Sequence, residues 1–307
     1  MEQIQVNTPV GQAIDHVIEE APLLNKTGRA ITEAVASLEG RSEFLRSIED
    51  FLHGTWLGHP LHAVLTDVTI GSWVSGAVLD FASVVTDSDD FAEAADMLTG
   101  IGTVSSLGTF AAGLTDYSRI KNDAIRPGLV HGLLNVAAIT SFAISTLARR
   151  AGNRGLGLMA STAGLGITTL SAWIGGDMVY RHKVGVNHAV PPSKTLDEWM
   201  LTNVMLADLP EGQPRRTEVD GTPILIYRYD GTLYAMGAVC SHAGGPLEEG
   251  DFDGTCVECP WHASVFDLRD GSVVHGPATM QEPTFEVRVQ DGRVQVRTMK
   301  EHYSTDQ

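Results

Sequence analysis

The sequence predicts a chain of two fold classes, an N-terminal four-helix transmembrane bundle followed by an all-β antiparallel domain. Three segments, residues 97–114, 127–148 and 155–176, contain no Asp, Glu, Lys or Arg. From Pro191 the pattern changes to short β-type runs such as ILIYRY and FEVRVQ, which are separated by Asp-Gly turns. The length of 307 residues accommodates two domains of ~150 residues each.

Net charge and cysteine content exclude several classes of protein. The formal net charge is −17, with 38 acidic and 21 basic residues. Binding to a phosphate backbone requires clustered Lys and Arg, so we expect no nucleic-acid partner. Three cysteines cannot form a disulfide framework, and metal-binding or reactive sulfur is the better expectation.

Residues 1–58 are predicted to form amphipathic helices on the cytoplasmic side of the membrane. The segments AIDHVIEEA and AITEAVASL have helical periodicity, and polar turns separate them. We find no signal peptide of the basic, apolar, small-residue type.

Residues 59–188 are predicted to contain four membrane spans. The charge-free segments have 18 to 22 residues, which is enough to cross a bilayer, and a fourth apolar stretch from about Leu61 to Thr86 precedes them. The spacing Gly128-x-x-x-Gly132 is typical of close helix packing in membranes. A buried soluble bundle is the alternative, although soluble helices normally carry a polar face.

Basic residues in the connecting segments predict the orientation of the bundle. The segments on the side of both termini carry more Lys and Arg than those on the other side, where the first loop, TDSDDFAEAAD, has none. By the positive-inside rule we expect a multi-pass protein of the cell membrane with both termini in the cytoplasm.

After a predicted linker at 189–207, residues 208–300 are predicted as the β domain and 301–307 as a tail. Two motifs in this domain carry the chemistry, Cys240-Ser241-His242 and Cys259-Pro260-Trp261-His262, with 16 residues between them. They offer two thiolates and two imidazoles, which zinc would also accept.

The fuller string, VCSHAGGPLEEGDF followed by CPWHASVFDLRDGSVVHGPA, resembles the Rieske family. In that family one iron of a 2Fe-2S cluster is held by two Cys and the other by two His. The resemblance implies that Cys240 and Cys259 hold the inner iron and that His242 and His262 hold the outer, more exposed one. Zinc does not require the flanking loop pattern, so the cluster is favoured. Cys256 fits no ligand position and is expected to be a bystander thiol.

Departures from the family indicate a ferredoxin-type domain. Gly245 and Trp261 stand where the Rieske proteins of respiratory complexes have an additional cysteine pair, and Phe266 stands where those proteins have a Tyr, whereas Ser264 is kept. Fewer donors to a negatively charged cluster destabilise its reduced form, so we expect a potential below that of the quinol-oxidising class.

Two histidines, His62 and His131, lie just inside predicted spans at the same end of the bundle. Intramembrane ionisable groups are costly, which makes these residues candidates for a functional site. Two imidazoles from facing helices can ligate a haem b, and the same groups can bind a quinone headgroup or a divalent metal. The alternative without a cofactor is hydrogen bonding to helix ends and lipid headgroups.

The N-terminal half, through GTWLGHPLHAVLTD, TDYSR and the segment GGDMVYRHKVGVN, resembles a poorly characterised bacterial four-span membrane family often fused to Rieske domains. The two resemblances imply a membrane-anchored Rieske ferredoxin, an electron carrier rather than a substrate-converting enzyme. It would pass single electrons between a reductase or quinone pool and an unidentified acceptor, with membrane lipid and redox partner proteins as its contacts. Alternatives are a quinone- or haem-linked membrane oxidoreductase and a redox sensor.

Overall fold

The computed structural model describes residues 14, 16, 18, 21–39, 42–121 and 123–299. The chain forms two compact units. One contains the helices up to Val184, and the other begins at Gly185 and also includes His53–His59. The predicted tail at 301–307 and part of the predicted helical segment at 1–58 lie outside the described residues.

Two shorter helices, α1 at Pro22–Glu39 and α2 at Glu43–His53, precede the long ones. In α2, the side chains of Phe44, Ile48 and Phe51 are exposed at a spacing that places them on one face of the helix. This apolar face, opposite a polar one, makes α2 the amphipathic helix that the sequence predicts.

Four long helices follow, joined by short connections that place neighbours antiparallel. They are α3 at Leu61–Thr86, α4 at Asp89–Ser118, α5 at Ile125–Arg150 and α6 at Arg154–Tyr180. All four are long and apolar enough to cross a membrane.

Helix α4 begins well before the charge-free segment that predicts it. The Ser88 hydroxyl accepts a hydrogen bond from the Phe91 amide, and Asp89 and Asp90 occupy the first turn. Carboxylates are stabilised near a helix N-terminus, so this charged turn extends the helix rather than ending it.

The long helices bury many small polar side chains and expose many large apolar ones. Buried polar residues of the bundle include Thr69, Ser106, Ser145, Ser161, Thr168 and Ser171. Apolar side chains that are more than 60% exposed include Val78, Phe81, Val104, Leu107, Leu147 and Met159. A soluble bundle buries most of its large apolar side chains, so this distribution favours a lipid environment over the soluble alternative.

Two antiparallel sheets form the rest of the described chain. Six strands pair in the order β1-β10-β9-β4-β3-β2, and four short strands pair in the order β5-β6-β7-β8. The strands are β1 Met200–Met205, β2 Arg215–Val219, β3 Thr222–Tyr229, β4 Thr232–Gly237, β5 Asp251–Asp253, β6 Cys256–Glu258, β7 Val265–Asp267, β8 Val273–His275, β9 Thr284–Gln290 and β10 Arg293–Thr298. The predicted fold class, a helical bundle followed by an antiparallel β domain, is confirmed.

Strand β3 separates two hydrophobic cores. Ile224 and Ile226 pack into one core with Val294, whereas Leu225 packs into the other with Phe266. Successive side chains of a strand point to opposite faces, so a strand buried on both faces reads as a continuous apolar run. The second core also contains the two cysteines of the motif.

Asp-Gly pairs form three of the hairpin turns, and both residues of each pair have positive φ, as type I′ turns require. These pairs are Asp220-Gly221, Asp230-Gly231 and Asp291-Gly292. Asp270-Gly271, a further Asp-Gly pair of the sequence, lies in the turn between the antiparallel strands β7 and β8, where Gly271 has positive φ. A Cβ on Gly271 would lie 2.0 Å from the Glu282 carbonyl oxygen, so only glycine fits there.

Strand β1 lies inside the segment 189–207 that the sequence predicts as a linker. Its residues pair with β10, with Met200 opposite Val296 and Leu201 opposite Gln295. The sheet therefore begins at Met200, and the predicted boundary at 208 is placed too late. The run MLTNVM is too short to show a clear alternation, and long-range pairing rather than local pattern makes it a strand.

Candidate metal centre

Two loops with the same hydrogen bonds carry the four predicted ligands. In the loop after β4, the Cys240 amide donates to the Gly245 carbonyl at 2.9 Å. In the loop between β6 and β7, the Cys259 amide donates to the Ser264 carbonyl at 2.8 Å. In each loop, therefore, a backbone hydrogen bond joins the cysteine to the residue five positions later.

A left-handed residue completes each loop. Gly244 has a φ of 79° and Ala263 a φ of 60°, and their amides donate to the carbonyls of Cys240 and Cys259 at 2.8 and 3.0 Å. These bonds hold the backbone around each cysteine in a fixed shape. The two cysteine positions are consequently equivalent in backbone structure, although Gly244 and Ala263 differ in sequence.

The structure brings all four predicted side chains together. Cys240 and Cys259 are buried in the same hydrophobic core, where their thiol groups are close enough to interact. The rings of His242 and His262 lie edge to face, with their centroids 4.8 Å apart. The Nδ1 atoms of both rings are buried. Two thiols therefore lie side by side, and two imidazoles lie beside each other.

This arrangement fits a 2Fe-2S cluster of the Rieske type, in which each iron takes two protein ligands. Within the described residues, no three or more His, Cys, Asp or Glu side chains are grouped so that they could hold one metal ion. A structural zinc site would need four ligands around one metal. The pair of thiols and the pair of imidazoles match the two Cys and two His ligands of such a cluster.

Gly245 allows the backbone to pass close to a cysteine sulfur. A Cβ at this position would lie 2.8 Å from the Cys259 Sγ and 3.1 Å from the Trp261 side chain. Contacts under 3.0 Å to a Cβ force a neighbour to move. The glycine that replaces one cysteine of the respiratory proteins is thus required by the packing of this loop.

Glu282, which sequence reasoning missed, is a fully buried carboxyl beside the first loop. Its Oε1 accepts a hydrogen bond from the Ser241 amide at 2.5 Å, and the Ser241 hydroxyl donates to the Met280 carbonyl at 2.7 Å. Burial raises the pKa of Glu282 to about 8. These contacts hold the backbone between Cys240 and His242. Nothing in the local sequence distinguishes Glu282 from surface carboxylates.

Three further residues named from the sequence lie near the loops. Ser264 is buried, and its hydroxyl oxygen accepts a hydrogen bond from the Ala278 amide at 3.0 Å, while Phe266 is buried in the adjoining core. Cys256 is half-buried in β6, where burial and then the charge of Asp267 raise the pKa of its thiol. A raised pKa lowers the thiolate fraction and the reactivity of this cysteine.

The segment that leads into the β domain contacts the first loop. The His188 amide donates to the Ser241 carbonyl at 2.8 Å.

Trp261, in the second loop, is 46% exposed, and its ring centroid lies 6.4 Å from that of His262. A large, solvent-exposed aromatic side chain thus lies beside His262.

The structure also brings together the two candidate residues of the bundle. The ring centroids of His62 on α3 and His131 on α5 are 6.4 Å apart. Asp177, at the end of α6, instead lies 3.7 Å from both Arg181 and His182. His62 and His131 therefore lie close together, whereas Asp177 contacts residues at the end of its own helix.

Family models match two parts of the chain. A model described as a predicted membrane protein (DUF2231) matches residues 58–188, and a model of the Rieske [2Fe-2S] domain matches residues 200–291.

Individual relatives match the second part. The anthranilate 1,2-dioxygenase ferredoxin subunit of Burkholderia cepacia is 33% identical over 102 residues, 33% of this chain and 94% of that protein. The ferredoxin component of the naphthalene 1,2-dioxygenase/salicylate 5-hydroxylase systems of a Ralstonia species is 32% identical over 92 residues, 30% of this chain and 88% of that protein. Among solved structures, the ferredoxin of carbazole 1,9a-dioxygenase from Nocardioides aromaticivorans IC177 is 28% identical, with a TM-score of 0.31 over 33% of this chain and 98% of that one.

Proposed function

Because the chain belongs to the Rieske [2Fe-2S] family through residues 200–291, which follow a domain of the DUF2231 membrane-protein family, we propose that it is a membrane-anchored Rieske ferredoxin. The predicted fusion of these two families is confirmed. Its cofactor is a Rieske-type 2Fe-2S cluster, and its role is to carry electrons. The four long helices would serve as its anchor.

The ligands in this proposal are Cys240 and Cys259 for the inner iron and His242 and His262 for the outer iron. The observation that carries it is the meeting of two buried thiols and two adjacent imidazoles in loops with the same hydrogen bonds. When bound, the cluster supplies one-electron chemistry at a potential above that of all-cysteine ferredoxins. The protein holds the ligands rigid and excludes water from the sulfur side.

We place the site of electron exchange at the histidine side of the cluster. His242 is half-buried, and Trp261 beside the buried His262 is exposed, whereas both cysteines are almost completely buried. An electron partner approaches closest where the least protein covers the cluster. Docking is therefore expected over Trp261 and the two imidazoles.

The acceptor we propose is an oxygenase component, and the donor is a reductase or the quinone pool. The ferredoxin relatives named above belong to anthranilate and naphthalene dioxygenase systems. A carrier on the membrane would exchange electrons on the side that holds its C-terminal domain. We propose that this is the cytoplasmic side, since the basic connecting segments favour it.

Substitution of the histidines tests the ligand assignment. His242→Ala and His262→Cys should each abolish the EPR spectrum of the dithionite-reduced Rieske cluster, because one ligand of the outer iron is lost or changed in charge. His275→Ala, a histidine in β8 outside the ligand set, is the matched control and should keep the spectrum. A wild-type spectrum in His242→Ala or His262→Cys would refute the assignment.

A further inference from the structure

The four long helices form two similar helix pairs, α3 with α4 and α5 with α6. A Cβ on Gly113 of α4 would lie 2.8 Å from the His62 ring, and a Cβ on Gly175 of α6 would lie 3.0 Å from the His131 ring. The two histidines are 69 residues apart in sequence, and the two glycines are 62 residues apart. Each histidine therefore packs on a glycine at the equivalent place of its own helix pair.

Further along the same helices, two aromatic residues also pack on glycines of the partner helix. Trp73 packs on Gly102 and Phe142 packs on Gly164, again with offsets of 69 and 62 residues. Trp73 and Phe142 stack on each other with ring centroids 3.9 Å apart. Equivalent residues meet only close to a symmetry axis, so a pseudo-two-fold axis relates α3 and α4 to α5 and α6. The pair of His62 and His131 lies near the same axis.

Hydrogen bonds give both histidines the same tautomer. Nδ1–H of His62 donates to the Thr109 carbonyl at 2.9 Å, and Nδ1–H of His131 donates to the Ser171 carbonyl at 2.9 Å. The lone pair of each ring is therefore on Nε2. An imidazole whose Nδ1–H is held by a backbone carbonyl is the usual form of a metal-binding histidine.

The neighbour of His131 supports this tautomer. The Asn135 side-chain nitrogen lies 3.0 Å from Nε2 of His131, and its amide oxygen accepts a hydrogen bond from the Ser171 hydroxyl at 2.9 Å. Nε2 therefore acts as an acceptor. A metal ion at Nε2 would replace the Asn135 donor.

The separation of the rings matches two ligands of one metal atom. Their centroids are 6.4 Å apart, and their planes make an angle of 84°. Two imidazoles bound to one metal through bonds of ~2 Å have centroids ~6 Å apart. Within the part of the chain that the structure describes, no third His, Cys, Asp or Glu completes a metal-binding group here. Haem iron needs only two axial ligands from the protein, whereas zinc in proteins typically needs three or more.

We propose that His62 and His131 are the axial ligands of one b-type haem, which bridges the two halves of the bundle. This site is independent of the cluster ligands and adds a second one-electron centre to the chain. Its iron would cycle between the ferric and ferrous states, with one electron taken up and released per cycle.

Titration of the full-length protein in detergent with hemin tests the proposal. We expect a Soret band that saturates at about one hemin per chain, with the low-spin spectrum of two imidazole ligands. Reduction by dithionite supplies one electron per iron and should produce the sharp α band of a ferrous b-type haem.

Variants locate the site. His62→Ala and His131→Ala should each weaken hemin binding by at least about tenfold. His131→Met should keep bound haem but change its spectrum and raise its potential, because Met is an axial ligand of another kind. His182→Ala, which alters a histidine next to Asp177 at the end of α6, is the control and should keep the wild-type ligation. The EPR signal of the 2Fe-2S cluster, recorded on the same samples, reports the C-terminal domain separately.

Absence of saturable hemin binding in the wild type would overturn the proposal, as would unchanged binding in both alanine variants. Co-purification of a quinone that either alanine variant loses, without haem, would also overturn it in favour of a quinone site. The two proposals can fail separately. A wild-type protein that binds no haem but shows the EPR signal of the cluster would still be an electron carrier.

Discussion

At the scale of single residues, two neighbouring glycines of the first loop are required for different reasons. A Cβ on Gly245 would lie 2.8 Å from the Cys259 Sγ, whereas one on Gly244 would have 3.9 Å or more to its neighbours. Gly244 has positive φ, as does Ala263 at the equivalent place of the second loop. An alanine with such a φ costs roughly 1–2 kcal/mol, and the second loop already tolerates it.

Gly245→Ala should therefore lose most of its iron, because the sulfur of a ligand must move. Gly244→Ala should keep nearly the full iron content and lose only roughly 1–2 kcal/mol of stability. Iron per chain and the amplitude of the EPR signal measure both effects. Equal iron content in the two variants would show that the close approach at Gly245 is unimportant for the site.

Glu282 should make the stability of the C-terminal domain depend on pH. Its pKa in the folded protein is raised to about 8 by burial, from an ordinary value of 4.5. Between these values the folded state holds a proton that the unfolded state releases, so stability falls as pH rises from about 4.5 to about 8. Below pH 4.5 the contribution of the buried, protonated Glu282 to the stability of the domain is fully present.

Glu282→Gln should flatten this dependence, because an amide occupies the site without ionising. The midpoint temperature of cluster bleaching, recorded at one scan rate from pH 5 to pH 9, measures it. Glu249→Gln, which alters an exposed carboxylate near the same loop, should keep the wild-type slope. An identical slope in wild type and Glu282→Gln would contradict the role of burial.

The Rieske domain could be recognised from sequence because the residues of its motif, our proposed ligands, lie within two short segments. Cys240 and His242 are separated by one residue, and Cys259 and His262 by two. Glu282 could not be recognised, because its burial results from the packing of a distant segment against the first loop. Long-range packing of this kind leaves no local pattern.

At the scale of helices, an ion-pair network joins one end of the bundle. Arg149 on α5 forms two hydrogen bonds to Asp80 on α3, at 2.6 and 2.9 Å, and one to Asp96 on α4 at 2.6 Å. Arg154 on α6 contacts Asp80 at 2.7 Å and Asp96 at 2.6 Å. All four long helices therefore contribute one residue to the network.

Asp80→Asn should destabilise the bundle by about 3–5 kcal/mol, because it removes the main partner of a buried guanidinium. Arg154→Gln should cost no more than about 1 kcal/mol, since that side chain is 31% exposed. Thermal loss of monodispersity in detergent ranks the two variants. A larger effect of Arg154→Gln would show that burial does not set the strength of this network.

Helices and strands differ in how far the sequence predicts them. The four spans follow from charge-free runs, which a bilayer requires directly. Strand β1 does not follow from its sequence, because pairing with β10 decides its structure. The internal repeat also escapes notice, because few of its equivalent positions are identical and some exchange one small residue for another, as at Thr109 and Ser171.

At the scale of the whole molecule, net charge should govern association with partners. A formal charge of −17 favours encounter with basic proteins, and salt screens such attraction over ~10 Å at 0.1 M ionic strength. Electron transfer from the reduced protein to cytochrome c, a basic probe, should slow at least about tenfold between 20 and 500 mM NaCl. Stopped-flow absorbance measures the rate. A rate independent of salt would contradict electrostatic docking.

We infer that this chain carries one Rieske 2Fe-2S cluster, held by two cysteines and two histidines. The most direct measurement is the EPR spectrum of the dithionite-reduced, full-length protein in detergent, with metal content determined on the same sample. We expect a Rieske spectrum with about two irons per chain bound to the cluster, after any haem iron is subtracted. One zinc per chain without a cluster spectrum would contradict the account, because the same four residues would then form a structural metal site.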